Sequence, residues 1–398
     1  MAVNYENLFS TRHSTSVKLH PGLLAVTKYE FSVTNADPES LPAGGFTDAL
    51  RTAMRTQTRD LAKYPPPQGH FGLRELTAQN LEEKRGHKTS IDSIFLSGGA
   101  GGAAQIIFDA FIDPGDIVLV DEFTYPGTLA MLLLRRANVI HVPTDDQGMN
   151  TDALENAIQE LASHGKRPTM IYTISVYHNP MGMTMSLERR KRLLEISHRH
   201  GIPILENESY ADFAIDDDSL PPAIISMDDQ DSVIYVSSFT KLLACGLRLG
   251  YGVVPQRVRR HLEPLRFGGS PSHLASMVVH EYLRDHRDEH VERVRLRLKA
   301  KRDALLAALD NYFPPTCTWS KPTGGMMVWV RLPEGANTWD ALDKTIEAGV
   351  KYNPGPLFRA ERDRPNYLRL AYSHNSPEEI WEGVGILASV FEREGVFG

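Results

Sequence analysis

From about residue 90 to about residue 254, short apolar runs alternate with amphipathic stretches, and this alternation constrains the fold more than any other feature of the sequence. Near-continuous apolar strands separated by helices indicate a parallel-rich sheet that is covered on both faces. The crossovers in such a sheet should be right-handed. We predict strands at residues 94–97, 117–121, 139–142, 169–173, 203–206, 233–236 and 249–254, with helices at residues 103–111, 151–163 and 187–200 between them.

The pattern changes after about residue 275, where strands and helices no longer alternate regularly. Ser376 and Glu379 should form a capping box at the start of the last helix, with Pro377 in its first turn. The other elements predicted here are a long charged helix at residues 287–312, strands at 326–332 and 367–372, and a helix that begins near Asn337.

These two patterns together predict a chain of the α/β class with more than one domain. The first 45 or so residues are rich in Ser, Thr, Pro and Gly, which indicates an arm rather than a core element. We therefore expect an N-terminal arm at residues 1–45, a large domain at 46–285 and a smaller α+β C-terminal domain at 286–398.

Composition limits the partners that such a chain could bind. The net charge of −7 and the pI near 6.1 argue against nucleic acid and anionic membranes, since both favour a basic face. The two cysteines, Cys245 and Cys317, lie far apart without metal-type spacing, which fits a reducing cytosol. Neither a secretory signal nor a run of about 18 apolar residues is present. We therefore expect a cytoplasmic protein with no membrane or nucleic-acid partner and no metal site.

One lysine stands in an unusual polar setting. Lys241 follows the strand predicted at residues 233–236, with Ser238 and Thr240 just before it and Arg248 seven residues after it. A lysine that loses its proton beside a cation can form an imine with an electrophile. The hydroxyls and the guanidinium can supply the donors that a phosphate dianion needs. A surface lysine near a structural arginine would also fit this cluster taken alone.

Three more clusters follow predicted strands. Gly99 and Ala100 belong to a glycine-rich turn whose backbone N–H groups can approach a phosphate closely. Asn179 lies in a Pro- and Gly-containing turn, and its amide can donate to a phenoxide oxygen. Asn207 and Tyr210 stand at the carboxyl end of a strand, where open α/β sheets bind their ligands. Each cluster also fits an ordinary role, namely a tight turn, an Asn bonded to its own backbone, or a solvated strand end.

Three isolated residues are also candidates for a binding site. Tyr64 and Tyr125 could stack on a planar cofactor, and Arg369 could bind a carboxylate through its guanidinium fork. Each has an ordinary alternative, because a lone tyrosine commonly packs and an arginine in a strand commonly pairs or reaches to the surface.

In this order and spacing, the clusters resemble the class I/II aminotransferases, which are pyridoxal-phosphate enzymes of fold type I. The resemblance covers roughly residues 30–395, and its most specific part is Ser-x-Thr-Lys followed by Gly-Leu-Arg-Leu-Gly-Tyr. It is strongest toward the branch that contains the kynurenine/α-aminoadipate aminotransferases and the aminotransferase-like half of certain fusion regulators. The resemblance implies a large domain with a mostly parallel seven-stranded sheet.

The resemblance also implies a role for each candidate. Lys241 would hold pyridoxal phosphate as a Schiff base and later shuttle a proton between the substrate α-carbon and C4′ of the cofactor. Arg369 would bind the substrate α-carboxylate. Tyr64 would reach the cofactor phosphate of the neighbouring subunit, which implies a homodimer with shared active sites. The remaining implied contacts are Gly99, Ala100, Ser238, Thr240 and Arg248 to the phosphate, Tyr125 stacked on the pyridine, and Asn179 and Tyr210 to O3′, with Asn179 also beside the substrate.

Two positions depart from the family pattern. Asn207 stands where the family usually has an aspartate that keeps the pyridine nitrogen protonated. A neutral amide cannot form that ion pair, so the ring should accept electrons less well. Glu206 and Glu208 should point away from the side that Asn207 faces, because side chains alternate along an extended segment. Thr34 stands where the family tends to have glycine beside the substrate carboxylate, which suggests an altered substrate shape.

Three functions follow from these observations. The first is a transaminase that acts on an α-amino acid and a 2-oxo acid. The second is a pyridoxal-phosphate enzyme with another outcome, such as elimination, cyclisation or an oxidase-type reaction, which Asn207 favours. The third is a non-catalytic sensor like the fusion regulators, which the acidic net charge and the short segment at residues 1–30 disfavour.

Overall fold

The computed structural model describes Val3, Leu8, Phe9 and residues 20–216, 219–266 and 270–398. Most of residues 1–19, which belong to the predicted N-terminal arm, lie outside these described residues. The described part of the chain forms strands and α-helices connected by turns and short 3₁₀ helices.

The strands and helices have the following bounds. The strands are β1 (Tyr29–Glu30), β2 (Ile94–Ser97), β3 (Ile117–Asp121), β4 (Asn138–Val142), β5 (Thr144–Asp145), β6 (Gly148–Met149), β7 (Pro168–Ile174), β8 (Ile204–Asn207), β9 (Val233–Ser238), β10 (Gly250–Val253), β11 (Thr318–Trp319), β12 (Met327–Arg331), β13 (Val350–Lys351), β14 (Asn353–Pro354) and β15 (Tyr367–Ala371). The helices are α1 (Ala43–Gln57), α2 (Phe71–Arg85), α3 (Ala100–Phe111), α4 (Pro126–Leu134), α5 (Thr151–Ser163), α6 (Leu187–His200), α7 (Ile224–Met227), α8 (Gln256–Leu262), α9 (His273–Tyr312), α10 (Leu342–Glu347) and α11 (Pro377–Arg393). Among the described residues, no helix combines the length and the apolar character that a membrane span requires.

The large sheet contains seven strands in the order β2-β10-β9-β8-β7-β3-β4. β10 runs antiparallel to both of its neighbours, and the strands from β9 to β4 pair in parallel. The predicted mostly parallel seven-stranded sheet is therefore confirmed, and the predicted strand ends lie within two residues of the observed ones. Because six of the strands point the same way, the segments that follow them meet at one edge of the sheet.

Helices cover both faces of this sheet, as the apolar strands predict. Along β3, Leu119 belongs to a buried cluster that includes Leu154 of α5. Its neighbours Val118 and Val120 belong to a separate buried cluster on the other face, which includes Ile107 of α3. Successive side chains of a strand point to opposite faces, so each strand contributes to both clusters. Burying one such side chain stabilises the fold by about 1.5–3 kcal/mol.

The helix α9 begins at His273, well before the predicted start at residue 287. The side chain of Ser272 caps it by accepting a hydrogen bond from the backbone N–H of Ala275. The early turns carry buried apolar residues such as Met277 and Val279, so the charge pattern marked only the more exposed later part. The predicted domain boundary at residues 285/286 falls inside this continuous 40-residue helix.

The C-terminal region contains a four-stranded antiparallel sheet in the order β11-β12-β15-β14. The predicted capping box of α11 is present, because Ser376 Oγ accepts from Glu379 N at 3.1 Å and Glu379 accepts from Ser376 N at 2.8 Å. The helix predicted near Asn337 begins instead at Leu342. The Asn337 side chain accepts from Trp339 N at 3.0 Å, and this local bond holds a turn where the helix was expected.

A segment of the predicted arm packs against this C-terminal region. β1 pairs in parallel with β13, and Tyr29 and Phe31 are buried in the same apolar cluster as the C-terminal strands. The backbone carbonyl of Phe31 accepts a hydrogen bond from Ala371 N at 2.8 Å. These contacts bring the residues that come after Phe31 in the chain, including Thr34, to the edge where the parallel strands end.

Candidate active site

A cavity of about 150 Å³ lies at the carboxyl edge of the large sheet. The segments that line it follow β2, β3, β7, β8 and β9, together with the segment after β1. Of the residues predicted from the sequence, Arg369 and Tyr64 do not line this cavity. Those that do are Thr34, Gly99, Ala100, Tyr125, Asn179, Asn207, Tyr210, Ser238, Thr240, Lys241 and Arg248.

Lys241 lies in the turn that follows β9 and lines the cavity. Its Nζ donates to the backbone carbonyl of Thr34 at 2.6 Å. Burial lowers the pKa of Lys241, and the groups that most influence this pKa include no carboxylate. A lysine held without a negative partner is more easily deprotonated, and the neutral amine is the nucleophilic form.

The N-terminus of α3 faces the cavity across a gap that a side chain would partly fill. Gly99 is the N-cap residue and has a φ of 84°, a conformation that favours glycine. A Cβ atom on Gly99 would lie 3.4 Å from Thr240 Oγ1 and 3.7 Å from Arg248 Nη2. Because Gly99 has no Cβ, the backbone N–H groups at the start of α3, the Thr240 hydroxyl and the Arg248 guanidinium surround one open space. Together these groups are the donors that a phosphate dianion needs.

Ser238, Thr240 and Arg248 complete this donor set. Both hydroxyls contact the carbonyl of Leu249, Ser238 at 3.2 Å and Thr240 at 3.3 Å, which fixes them beside the start of β10. Arg248 has a φ of 49° and donates to the carbonyl of Gly98 at 3.1 Å. A left-handed backbone at a residue other than glycine is strained and is found preferentially at functional sites.

The opposite side of the cavity carries an aromatic ring and a small network of polar side chains. The ring of Tyr125 lies over Gly127, where an added Cβ would come within 2.5 Å of it. Asn179 Nδ2 donates to Tyr210 Oη at 3.3 Å, and the hydroxyls of Tyr210 and Thr34 are 3.2 Å apart. Tyr210 and Asn179 are buried and both line the cavity, so their polar groups can contact a ligand that is bound there.

Asn207 ends β8 and lines the cavity, whereas neither Glu206 nor Glu208 does. Both glutamates are fully buried on the other face, as the alternation of the strand predicts. Glu208 receives two hydrogen bonds of 2.7 Å from Arg85, and Arg190 donates to Glu208 at 3.1 Å and to Glu206 at 3.4 Å. Neither carboxylate is therefore free to turn toward the cavity in place of an aspartate at position 207.

The two glutamates differ in their acidity. Burial raises the pKa of Glu206 to about 7, although backbone N–H groups of Ile224 and Ile225 donate to it. Burial alone would also raise the pKa of Glu208, but the guanidinium groups of Arg85 and Arg190 together outweigh burial and lower that pKa. Two arginines facing two glutamates make this cluster close to neutral, which is the condition for keeping charges buried.

Arg369 of β15 lies next to the cavity and is 3% exposed. It donates to Asn179 Oδ1 at 3.0 Å and to the carbonyl of Ser32, and its Nε has no hydrogen-bond partner among the described residues. The neighbouring carboxylate, Glu30, is instead paired with Lys351 at 2.7 Å. Burial lowers the pKa of Arg369. A buried cation bonded to neutral oxygens favours an anionic ligand, because an unpaired buried charge is costly.

Tyr64 lies outside the cavity of its own chain. Its side chain is fully exposed, in the segment between α1 and α2. The structure therefore separates Tyr64 from the other predicted residues.

The sequence did not identify several residues that contact the predicted ones. Tyr172, in the interior of β7, bonds Asn207 at 2.9 Å, and the hydroxyl of Ser209 bonds the same amide at 2.6 Å. Ser32 provides the backbone carbonyl that accepts from Arg369. The pattern Asn-x-Ser at residues 207–209 is a local signal for such a turn, whereas the contacts of Tyr172 and Ser32 come from distant segments and have no local signal.

Comparison with known proteins agrees with this geometry. Residues 37–387 match the family described as aminotransferase class I and II. The chain is 32% identical over 360 residues to aromatic-amino-acid aminotransferase 1 of Thermococcus litoralis, an alignment that covers 90% of this chain and 86% of that protein.

Solved structures show the same fold. The multiple substrate aminotransferase from Thermococcus profundus superposes with a TM-score of 0.93 at 29% identity, covering 99% of both chains. The α-aminoadipate aminotransferase LysN from Thermus thermophilus, complexed with N-(5′-phosphopyridoxyl)-L-leucine, gives 0.90 at 26% identity and covers 98% of this chain and 99% of its own. The family resemblance and the fold expected from the sequence are thus confirmed. The chain belongs to the class I and II aminotransferase family.

Proposed function

We propose that Lys241 binds the cofactor of this pyridoxal-phosphate-dependent aminotransferase, which moves an amino group between an α-amino acid and a 2-oxo acid. The observation that carries the proposal is the setting of the Lys241 amine. Lys241 lines the cavity, its Nζ donates to a backbone carbonyl rather than to a carboxylate, and burial lowers its pKa. These are the properties of a lysine that reacts as a neutral nucleophile.

The donors around Lys241 fit a planar phosphorylated pyridine. The start of α3, the hydroxyls of Ser238 and Thr240, and Arg248 would bind the phosphate, and Tyr125 would stack on the ring. Asn179 and Tyr210 would donate to the O3′ oxygen. When bound, pyridoxal phosphate supplies a conjugated ring that accepts electrons from the substrate.

The chain itself supplies proton transfer and substrate orientation. Once free of the cofactor, the Lys241 amine would take the proton from the substrate α-carbon and deliver it to C4′. Arg369 would hold the α-carboxylate, and Asn179 beside it would keep the guanidinium in place. Thr34 packs against Tyr210 and occupies space that glycine would leave open, so it would restrict the shape of the substrate.

Borohydride trapping tests the assignment of Lys241. The purified protein with bound pyridoxal phosphate should be yellow, and its visible absorbance band should disappear on reduction. Peptide mapping should then find the reduced pyridoxyl group on Lys241, because this lysine lines the cavity. An adduct on any other lysine would refute the proposal.

We also propose that the active unit is a homodimer in which Tyr64 serves the cofactor of the partner subunit. Tyr64 is fully exposed, and other exposed apolar residues lie near it in the sequence, a grouping that is typical of an interaction surface. Symmetric pairing would bring each Tyr64 to the other subunit's cavity. The exposed apolar residues in the same region are Leu50, Met54, Leu61 and Phe71.

Subunit mixing tests the shared site. Tyr64→Ala and Lys241→Ala should each inactivate the homodimer, and sedimentation should show dimers for both. Refolding the two variants together should restore activity at about a quarter of the sites, since each mixed dimer regains one site with both residues intact. If mixing restores no activity, or if an active monomer is found at assay concentration, the shared site does not exist.

Two further proposals concern location and domain division. We propose a cytoplasmic location, which is supported by the free thiols of Cys245 and Cys317. We also propose a division into an arm (1–45), a large domain (46–285) and a small domain (286–398). The separate four-stranded sheet in the C-terminal region supports the small domain.

A further inference from the structure

The side-chain amide of Asn207 has a defined orientation. Its Oδ1 accepts from the backbone N–H of Ser209 at 3.1 Å and from the Ser209 hydroxyl at 2.6 Å. A backbone N–H can only donate, so the atom facing it must be the oxygen rather than the nitrogen. Turning the amide over would place two donors against each other. Ser209 therefore determines the position of the oxygen and of the nitrogen in the Asn207 amide.

The nitrogen end of the amide is also partly engaged. Nδ2 donates to the hydroxyl of Tyr172 at 2.9 Å. Burial raises the pKa of Tyr172, so this residue is a neutral phenol. Its hydroxyl oxygen can therefore accept from Asn207. Both lone pairs of Oδ1 and one N–H of Nδ2 are used, and one N–H remains.

We infer that Asn207 faces the cofactor's pyridine nitrogen only as a hydrogen-bond donor, so that the bound ring is unprotonated at this nitrogen. The inference rests on the proposed function, in which the ring lies in the cavity that Asn207 lines. A protonated nitrogen would need an acceptor, and the acceptor of this amide is occupied by Ser209. The neighbouring carboxylates of Glu206 and Glu208 are engaged by arginines on the other face.

The inferred arrangement differs physically from an aspartate at the same position. A carboxylate stabilises a protonated nitrogen by a charge-assisted hydrogen bond, roughly twice as strong as a neutral one. A donor amide stabilises the unprotonated nitrogen instead. The protein thereby weakens the ring as an electron acceptor, and it does so through a side chain that is held by the local turn at Ser209 and by Tyr172 of β7.

Nitrogen-15 NMR of the holoenzyme tests the inference directly. The protein would be loaded with pyridoxal phosphate labelled at the ring nitrogen, and protonation moves such a resonance far upfield. We expect the wild-type resonance at the position of an unprotonated ring nitrogen at every pH at which the holoenzyme is folded. Asn207→Asp should move it to the protonated position, and the site can accept this change because Ser209 remains a donor and Tyr172 can turn its hydroxyl to donate.

The control is Asn150→Asp, which adds the same charge at the N-cap of α5, where aspartate caps equally well. It should leave the resonance unchanged. A wild-type resonance at the protonated position would overturn the inference, and so would one that Asn207→Asp does not move. If the labelled cofactor does not bind, or borohydride fixes it elsewhere than Lys241, the proposed function itself fails.

Discussion

Replacing Lys241 with alanine should lower the rate of the half-reaction with an amino donor by a factor on the order of 10²–10⁴, the usual contribution of a positioned acid–base group. The Lys241 amine is the nucleophile and proton carrier of the proposed site. Its removal leaves the phosphate donors in place, so the variant should still bind pyridoxal phosphate, but without a covalent link. Rapid-mixing absorbance measurements with a saturating donor would give the rate.

Chemical rescue distinguishes loss of the amine from loss of the fold. Small primary amines added to Lys241→Ala should restore part of the rate in proportion to their concentration, because they can enter the space that the side chain has left and carry the proton. Lys88→Ala is the matched control, since Lys88 is exposed and lies outside the cavity. It should react at the wild-type rate. An unchanged rate in Lys241→Ala would exclude this lysine from catalysis.

Replacing Arg369 with lysine should raise the apparent KM for every amino donor while changing kcat less. The guanidinium binds a carboxylate through a planar fork, whereas an ammonium group is a point charge. Losing a buried contact of this kind costs roughly 2–4 kcal/mol. That cost corresponds to an increase in KM of about 30-fold to about 700-fold, at about 1.4 kcal/mol per factor of ten. Steady-state kinetics with two donors of different side chain would measure it.

The expected effect depends on the unusual electrostatics at Arg369. The guanidinium is buried, contacts neutral oxygens and has an Nε without a partner in the part of the chain that the structure describes, so a substrate carboxylate would supply the missing negative charge. Arg331→Lys is the matched control, because Arg331 lies on the adjacent strand β12 with its side chain exposed. It should leave KM unchanged. An unchanged KM in Arg369→Lys for every donor would show that Arg369 has only a structural role.

Much of the large sheet could be predicted from the sequence because its signals are local. The strands at residues 94–97 and 117–121 were predicted with their observed bounds, since each is a short apolar run ended by polar or glycine residues. The capping box at Ser376 and Glu379 is likewise contained within four consecutive residues. The order of the motif residues along the chain also indicated the family and, through it, the cavity-lining set around Lys241.

The start of α9 and the turn at Asn337 show where local signals were insufficient. The first turns of α9 are buried against other helices, so they lack the charge pattern by which the later turns were recognised. At Asn337 a side-chain bond to the backbone competes with helix formation, and the outcome depends on the surrounding packing.

Only the tertiary structure decided the properties that depend on residues far apart in the sequence. The sequence by itself determined that residue 207 is a neutral amide and that residue 369 is an arginine. It did not determine that Tyr172 of β7 accepts from the Asn207 amide nitrogen, or that Arg369 is buried with no ion-pair partner in the described part of the chain while Glu30 pairs with Lys351. The physical reason is that hydrogen-bond direction and desolvation are set by every group within a few ångströms, and in this site β7, β8, β15 and the segment before α1 supply those groups together.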